Sequence, residues 1–346
     1  MNPDRTSQYA WVAVTMLFIS FIVGTSTSAH HNDSVKYDTS ITDSIIGMVT
    51  RIEWRNPHIY LYLSVESTNS QSAIWEIEGP PPAALRRAGW SREDLEIGDR
   101  ISIDGHPARN SNSTEFLMNS LTTAESTTIG MDIGLASVPE ADESITDRAT
   151  SLEGIWGTVF DLEVILVLVE ASKLELTEKG RLAVESYNEP TDNPALNCIR
   201  ETAPKGMLYP DIKSIEISDS IVTIRSESEA LVRTVYLDRN SHDGSIPASN
   251  GHSIGRWEGE KLVIDTANFS PHRQGNATGL PSGLQKHLYE ELELIEGGAR
   301  IRYYYELRDP EYFEGKISDE IEFAFRPDLD YVELPCDVEN ARRYAQ

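Results

Sequence analysis

Three histidines offer the first chemistry that can be read from this sequence. His30 and His31 are adjacent in SAHHND, directly after an apolar run, and His58 closes the stretch WRNPH. If the chain is cut after Ala29, His30 becomes the first residue, and its α-amino nitrogen and imidazole can chelate one metal ion together. His58, with His31 or His106 as a further donor, would extend this to the nitrogen-rich tetragonal set that Cu(II) favours. The competing expectation is a plain flexible terminus, with Asn56-Pro57-His58 forming a turn against Trp54.

A second set lies further along: His252, Arg256, Asp265, His272, His287 and Glu290. On a strand, His287, Tyr289 and Glu291 point to one face and Leu288, Glu290 and Leu292 to the other. An acid/base pair of His287 with Glu291, or a ligand held by His287, requires the first face to line a barrel interior. The two leucines mark the second face as the buried one, which sends His287 to solvent and makes Glu290 the oddity. A cross-strand charged pair is the commoner use of such residues. Trp54, Trp75 and Trp90 form a third group. Trp54 and Trp75 are expected in a core, whereas Trp90, before a charged segment, is expected at the surface as a stacking platform for a planar ligand. No nucleophile elbow, P-loop, dinucleotide fingerprint or zinc-protease helix occurs, so no residue is assigned a catalytic role.

These residues need elements to position them. The first 29 residues read as a secretory signal peptide, with Arg5 at the charged start, an apolar stretch from Ala10 to Gly24 and small residues Thr27 and Ala29 before the cut. An uncleaved membrane anchor is the alternative, and would be the chain's one membrane contact. The protein is then periplasmic or extracellular. Its 56 acidic against 30 basic residues give a formal net charge of −26, which argues against nucleic acid and anionic lipid as partners. An exported chain with only two cysteines, Cys198 and Cys336, invites one disulfide.

From residue 30 to 124 the chain alternates in short apolar/polar runs. SIIGMVTRIEW, HIYLYLSVES, AIWEIEG and DRISIDG surround one short helix that starts at Pro82. A small, partly open five-stranded β-barrel of the OB type fits this order. Residues 125–150 are acidic and aperiodic and read as a linker. Residues 151–346 carry an apolar run, Val164–Val169, that is either strand or helix. A short helix capped by Thr177 follows, and then alternating runs that fold back at Ser218-Asp219, Gly259-Glu260 and Gly297-Gly298. Consecutive hairpins of this kind make an antiparallel meander, which hides its edges by closing into a barrel or curling into a sandwich. The fold class is mainly β, in two domains with few short helices, and roughly 100–200 residues per domain agrees.

SAHHNDSVKYD, IGMVTRIEWRNPHIYLYL, WEIEGPPPAALRRAGW and LEIGDRISIDGHPA together resemble an uncharacterised family of exported bacterial proteins, a domain of unknown function with an Ala-His-His start and a Trp-x-Asn-Pro-His core motif. DNPALNC, GHSIGRWEGEKLVIDTANF and LRDPEYF are similar to an exported β-rich module that often follows it. That module commonly has Arg after the Glu of its next strand, where this chain has Glu291 after Glu290. Neither resemblance implies a reaction. The leading expectation is an exported, non-enzymatic binding or scaffold module whose partner is a small molecule or an envelope protein. A copper-binding protein using His30 with His58 is the first alternative, and a carrier or enzyme using the second barrel's interior is the next. N-terminal sequencing of the secreted protein is expected to begin at His30; any other start removes the chelating amine.

Overall fold

The computed structural model describes residues 36–66, 72–87, 90–123, 128–130, 147–159, 171, 174–227, 231–242, 244–333 and 335–345. Residues 1–29, read above as a signal peptide, His30, His31 and the apolar run 164–169 lie outside them. In the first unit, β1 (Asp43–Glu53), β2 (Tyr60–Glu66), β3 (Ser72–Glu78), β4 (Arg100–Pro107) and β5 (Glu115–Thr122) lie in the order β3-β2-β1-β4-β5. A pairing of β3 with β5 closes them into a barrel. Strand alternation is followed closely. In β1, Ile45, Gly47 and Val49 face the core while Ile46 and Met48 face out. Gly47 is required because a Cβ there would sit 2.9 Å from Leu63 Cβ. The short helix α1 (Pro82–Arg87) begins at the predicted proline. β6 (Thr128–Gly130) adds to β5 from inside the stretch read as linker.

The second unit holds β7 (Gly154–Thr158), β8 (Ile212–Ile217), β9 (Ile221–Ser226), β10 (Leu231–Tyr236), β11 (His252–Glu258) and β12 (Lys261–Ala267). A separate hairpin, β13 (His272–Ala277) and β14 (Leu280–Ser282), precedes β15 (His287–Ile295), β16 (Arg300–Arg308) and β17 (Ile317–Phe325). Leaving out the hairpin, nine strands close into a barrel in chain order, β17 meeting β7. The turns fall where turn residues predict them, with Gly259 at φ 67° between β11 and β12. The helix α2 (Glu178–Glu185) is capped as expected, the Gly180 amide donating to Thr177 Oγ1 at 3.1 Å.

The meander is not antiparallel throughout. Strands that alternate in direction close only in even numbers, so a closed ring of nine must contain a parallel neighbour pair. That pair is β10 and β11, joined only through Val235↔Ser253 and Tyr236↔Ile254. Parallel neighbours cannot be joined by a tight hairpin, and residues 237–251 supply the longer connection. The five-stranded barrel obeys the same rule: β3 and β5 are parallel, through Glu76↔Glu115, Ile77↔Phe116 and Glu78↔Leu117.

The interior of the nine-stranded barrel is mostly apolar, with Trp156, Leu288, Leu292, Tyr303, Tyr305 and Phe323 at its centre. Glu290 is fully buried there, as the strand pattern implied, and its partner comes from β10. Arg233 donates to both carboxylate oxygens, Nη1 at 2.7 Å and Nη2 at 2.6 Å, and Tyr303 Oη donates to Oε1 at 2.7 Å. Arg233 Nη2 also reaches Ser253 Oγ at 3.3 Å and Thr266 Oγ1 at 3.2 Å. Removing one member leaves an uncompensated charge in a dry core, which costs far more than removing both. Arg233→Met and Glu290→Leu are each expected to destabilise the barrel by about 3–5 kcal/mol, and the double variant by much less. Urea unfolding followed by barrel fluorescence reads the difference; additive losses would be the contrary result.

Candidate functional site

The WRNPH stretch connects β1 to β2 and meets the end of the chain. Cys336 is bonded to Cys198, with Cα atoms 5.8 Å apart and 138 residues between them. This is the predicted disulfide. The segment beyond it passes the start of the meander and reaches the first barrel. Asn56 forms a parallel bridge with Cys336, and the Asp337 amide donates to Asn56 O at 3.1 Å. Arg55 pairs with Asp337 at 3.0 Å, and Asn340 Nδ2 donates to His58 O at 2.9 Å. Arg343 donates to Tyr62 Oη at 2.9 Å and Glu53 Oε2 at 2.5 Å, with its guanidinium 4.4 Å above the Tyr60 ring. Residues 335–343 therefore form a strap that joins the two barrels. Between strap and barrel lies a pocket of about 290 Å³ lined by Trp54, Arg55, Asn56, Pro82, Pro335, Cys336 and Asp337.

His58 sits behind this pocket, 8 % exposed. Its Nδ1 is 3.0 Å from Gly79 O, and a carbonyl only accepts, so Nδ1 carries a hydrogen. Glu78 Oε1 lies 3.7 Å from the same Nδ1, and Glu78 Oε2 accepts from Tyr37 Oη at 2.7 Å. Burial, and then Glu78, raises the Tyr37 hydroxyl well above its ordinary pKa. A ring nitrogen tied to a backbone carbonyl or carboxylate is the arrangement that orients a histidine ligand. Among the described residues no group of three or more His, Cys, Asp or Glu side chains is arranged to hold a metal ion. His30 and His31 lie outside those residues. His106 spends both nitrogens elsewhere, donating from Nδ1 to Ile41 O at 2.6 Å and accepting from Asn119 at Nε2, 2.9 Å.

Trp54 and Trp75 pack, partly buried, against the first core as expected, and Trp90 departs from expectation. Trp90, taken above as an exposed ligand platform, is 8 % exposed and belongs to the first core with Leu85 and Leu95. Its amide donates to Leu85 O at 2.8 Å, which holds residue 90 against α1. Trp75 is partly buried, edge-on to Phe116 at 6.2 Å, and Trp54 lines the pocket.

The second site is on the outer face of the nine-stranded barrel. His287 Nε2 lies 2.9 Å from Asp265 Oδ2, and His242 Nε2 lies 2.7 Å from Asp265 Oδ1. His242 Nδ1 faces His252 Nδ1 at 2.9 Å, and Arg239 Nη1 approaches His252 Nε2 at 3.3 Å. The His287 and His242 hydrogen bonds hold the Asp265 carboxyl down at about 2, and the Asp265 bond raises the His287 imidazole. Glu291, considered above as His287's partner, instead pairs with Lys261 at 2.9 Å and accepts from Tyr289 Oη at 2.6 Å. Of the capable residues named from sequence, Arg256 is exposed beside Glu258. His272 is buried on the β13–β14 hairpin, its pKa lowered chiefly by burial. His242 went unnoticed because it lies in a Ser-His-Asp-Gly turn with no strand period to flag it.

Residues 19–117 match the family model described as Family of unknown function (DUF6152). The match spans WRNPH and every strand of the first barrel as far as Leu117 in β5. No curated protein matches the chain. Among the described residues no helix is long and apolar enough to cross a membrane.

Hydrogen bonds to charged partners contribute about 1.5–3 kcal/mol each where solvent is excluded. Arg343→Ala is expected to lower stability by about that amount and to raise amide hydrogen exchange across residues 335–343. Glu53→Gln combined with it should add only the loss of the Arg51–Glu53 pair, whose guanidinium is exposed, because the strap contact is shared; full additivity would mean that the strap is not held by Arg343 and Glu53.

Proposed function

We propose that the protein is an exported, non-enzymatic binding module whose ligand site is the WRNPH edge of the first barrel beneath the C-terminal strap. The pocket carries this reading, because its walls come from both units and it is complete only with the strap docked. It offers an aromatic face, two prolines and the disulfide as apolar surface, with Arg55, Asn56 and Asp337 as polar groups. At about 290 Å³ it suits a small molecule or one side chain of an envelope protein. Export is supported by the Cys198–Cys336 bond, since such bonds persist in oxidising compartments. Fragment binding observed by NMR should map to Trp54 and Asp337, and should be lost in Trp54→Ala and in the Cys198→Ser/Cys336→Ser double variant. Fragments that ignore both changes would reject the site.

A second reading, copper binding by His30 with His58, is favoured by the Nδ1 bond to Gly79 O that orients the His58 ring. Tyr37, six residues after His31, donates to Glu78, the same carboxylate that lies beside His58. In cleaved protein titrated with Cu(II), His30→Ala and His58→Ala should each weaken binding; unchanged affinity would remove the copper reading and leave the pocket reading intact.

A further inference from the structure

The β10–β11 seam is the weakest closure of the larger barrel. Backbone pairing covers two positions, while β15 and β16 pair along their whole lengths. Side chains make up the difference on both faces. Inside, Arg233 of β10 reaches Ser253 of β11. Outside, the Tyr236 ring of β10 stacks on His252 of β11, centroids 5.2 Å apart at 22°. Arg239 lies 3.9 Å over the Tyr236 ring and bonds His252, and His242, from the connection between the two strands, bonds His252 from the other nitrogen. Each contact of this outer layer involves a group whose hydrogen count matters.

The hydrogens can be assigned in turn. The Asp265 carboxylate only accepts, so His242 Nε2 and His287 Nε2 both carry hydrogens. A neutral His242 then presents a bare Nδ1, which accepts from His252 Nδ1–H, and the bare Nε2 of His252 accepts from Arg239. Every donor meets an acceptor. One added proton reverses the central bond and turns a His252 N–H against the Arg239 N–H. A second sets two imidazolium N–H groups against each other across 2.9 Å.

We propose that Arg239, His242, His252 and Asp265 form a pH-sensitive clasp on the β10–β11 seam, closed while the histidine pair is neutral and opened when both rings are protonated. Opening frees the 237–242 segment and the outer edge of β10, behind which lie Arg233 and Glu290. The groups facing the pair are Tyr236 on β10, Arg239 and His242 on the connection, Asp265 on β12 and His287 on β15, with Arg308 on β16 beyond His287. Asp243 lies outside the described residues. Burial, His242 and Arg239 all lower the His252 imidazole. The closed clasp therefore binds fewer protons at His252 than the open one, in which that ring returns to the ordinary value of about 6.5. Closure is fully favoured above about pH 6.5 and is lost as pH falls below it. His287 acts in the opposite sense, contributing fully below about pH 6.5 and less as pH rises through its raised value. It ties β15 to β12, away from the seam.

Hydrogen exchange at about pH 7 and about pH 5, corrected for intrinsic rates, tests this directly. Opening of β10 and of 237–242 should increase up to roughly tenfold per pH unit for each linked proton, with β16 unaffected. His252→Phe keeps a ring against Tyr236 without a titrating nitrogen and should abolish the response, whereas His287→Gln should retain it. Equal seam exchange at both pH values, or a response surviving His252→Phe, would overturn the clasp. Ring NMR of the unaltered protein gives an independent check: the His252 ring should titrate below the ordinary value of about 6.5, and an unshifted His252 titration would overturn the clasp equally.

Discussion

Parity governs this molecule. A closed ring of alternating strands needs an even number, and both barrels are odd, with five strands in one and nine in the other. Each must therefore contain a parallel seam, and a parallel pair is somewhat weaker per residue and cannot be joined by a tight hairpin. Both seams are short. At the β10–β11 seam side chains join the strands where the backbone ladder runs out, and a polar cluster lies beside each seam. Glu78, with His58 and Tyr37 about it, belongs to the β3–β5 seam. Arg233 inside and His252 outside belong to the β10–β11 seam.

The two clusters differ in what surrounds them. Glu78 and Glu290 are both fully buried carboxylates, held by tyrosine hydroxyls and, in the second case, by a forked guanidinium. A buried ion pair such as Arg233–Glu290 contributes little net stability, since its desolvation offsets much of its attraction. The outer chain from Arg239 to His287 is partly in solvent, so its hydrogen count responds to the medium. The strap adds a separate constraint: a bond closing 138 residues restricts the unfolded chain strongly, and it also fixes the last residues against a barrel that they do not belong to.

Much of this organisation is legible in the residues. Strand alternation located the buried face of β15 from Leu288 and Leu292, and with it the anomaly of Glu290. Pro82 and Thr177 marked helix starts, and Gly259 a hairpin. Two cysteines in an exported reading gave the bond between them. Trp90 was misjudged because a tryptophan before a charged segment has no period to set its direction; one backbone hydrogen bond to Leu85 turned it inward. Arg233 was not connected to Glu290 because the two are 57 residues apart, and only ring closure makes β10 a neighbour of β11 and brings its inner face to β15.

What the sequence determines alone is local: which runs are strands, where they turn, which face of each is apolar and which residues carry chemistry. Those properties depend on side-chain period and turn conformation, both fixed within a few residues. The tertiary structure alone decides the parity defect, the partner of each buried charge and the landing place of the strap. These depend on how many strands close a ring and on which distant segments then meet, and no window along the chain contains that information.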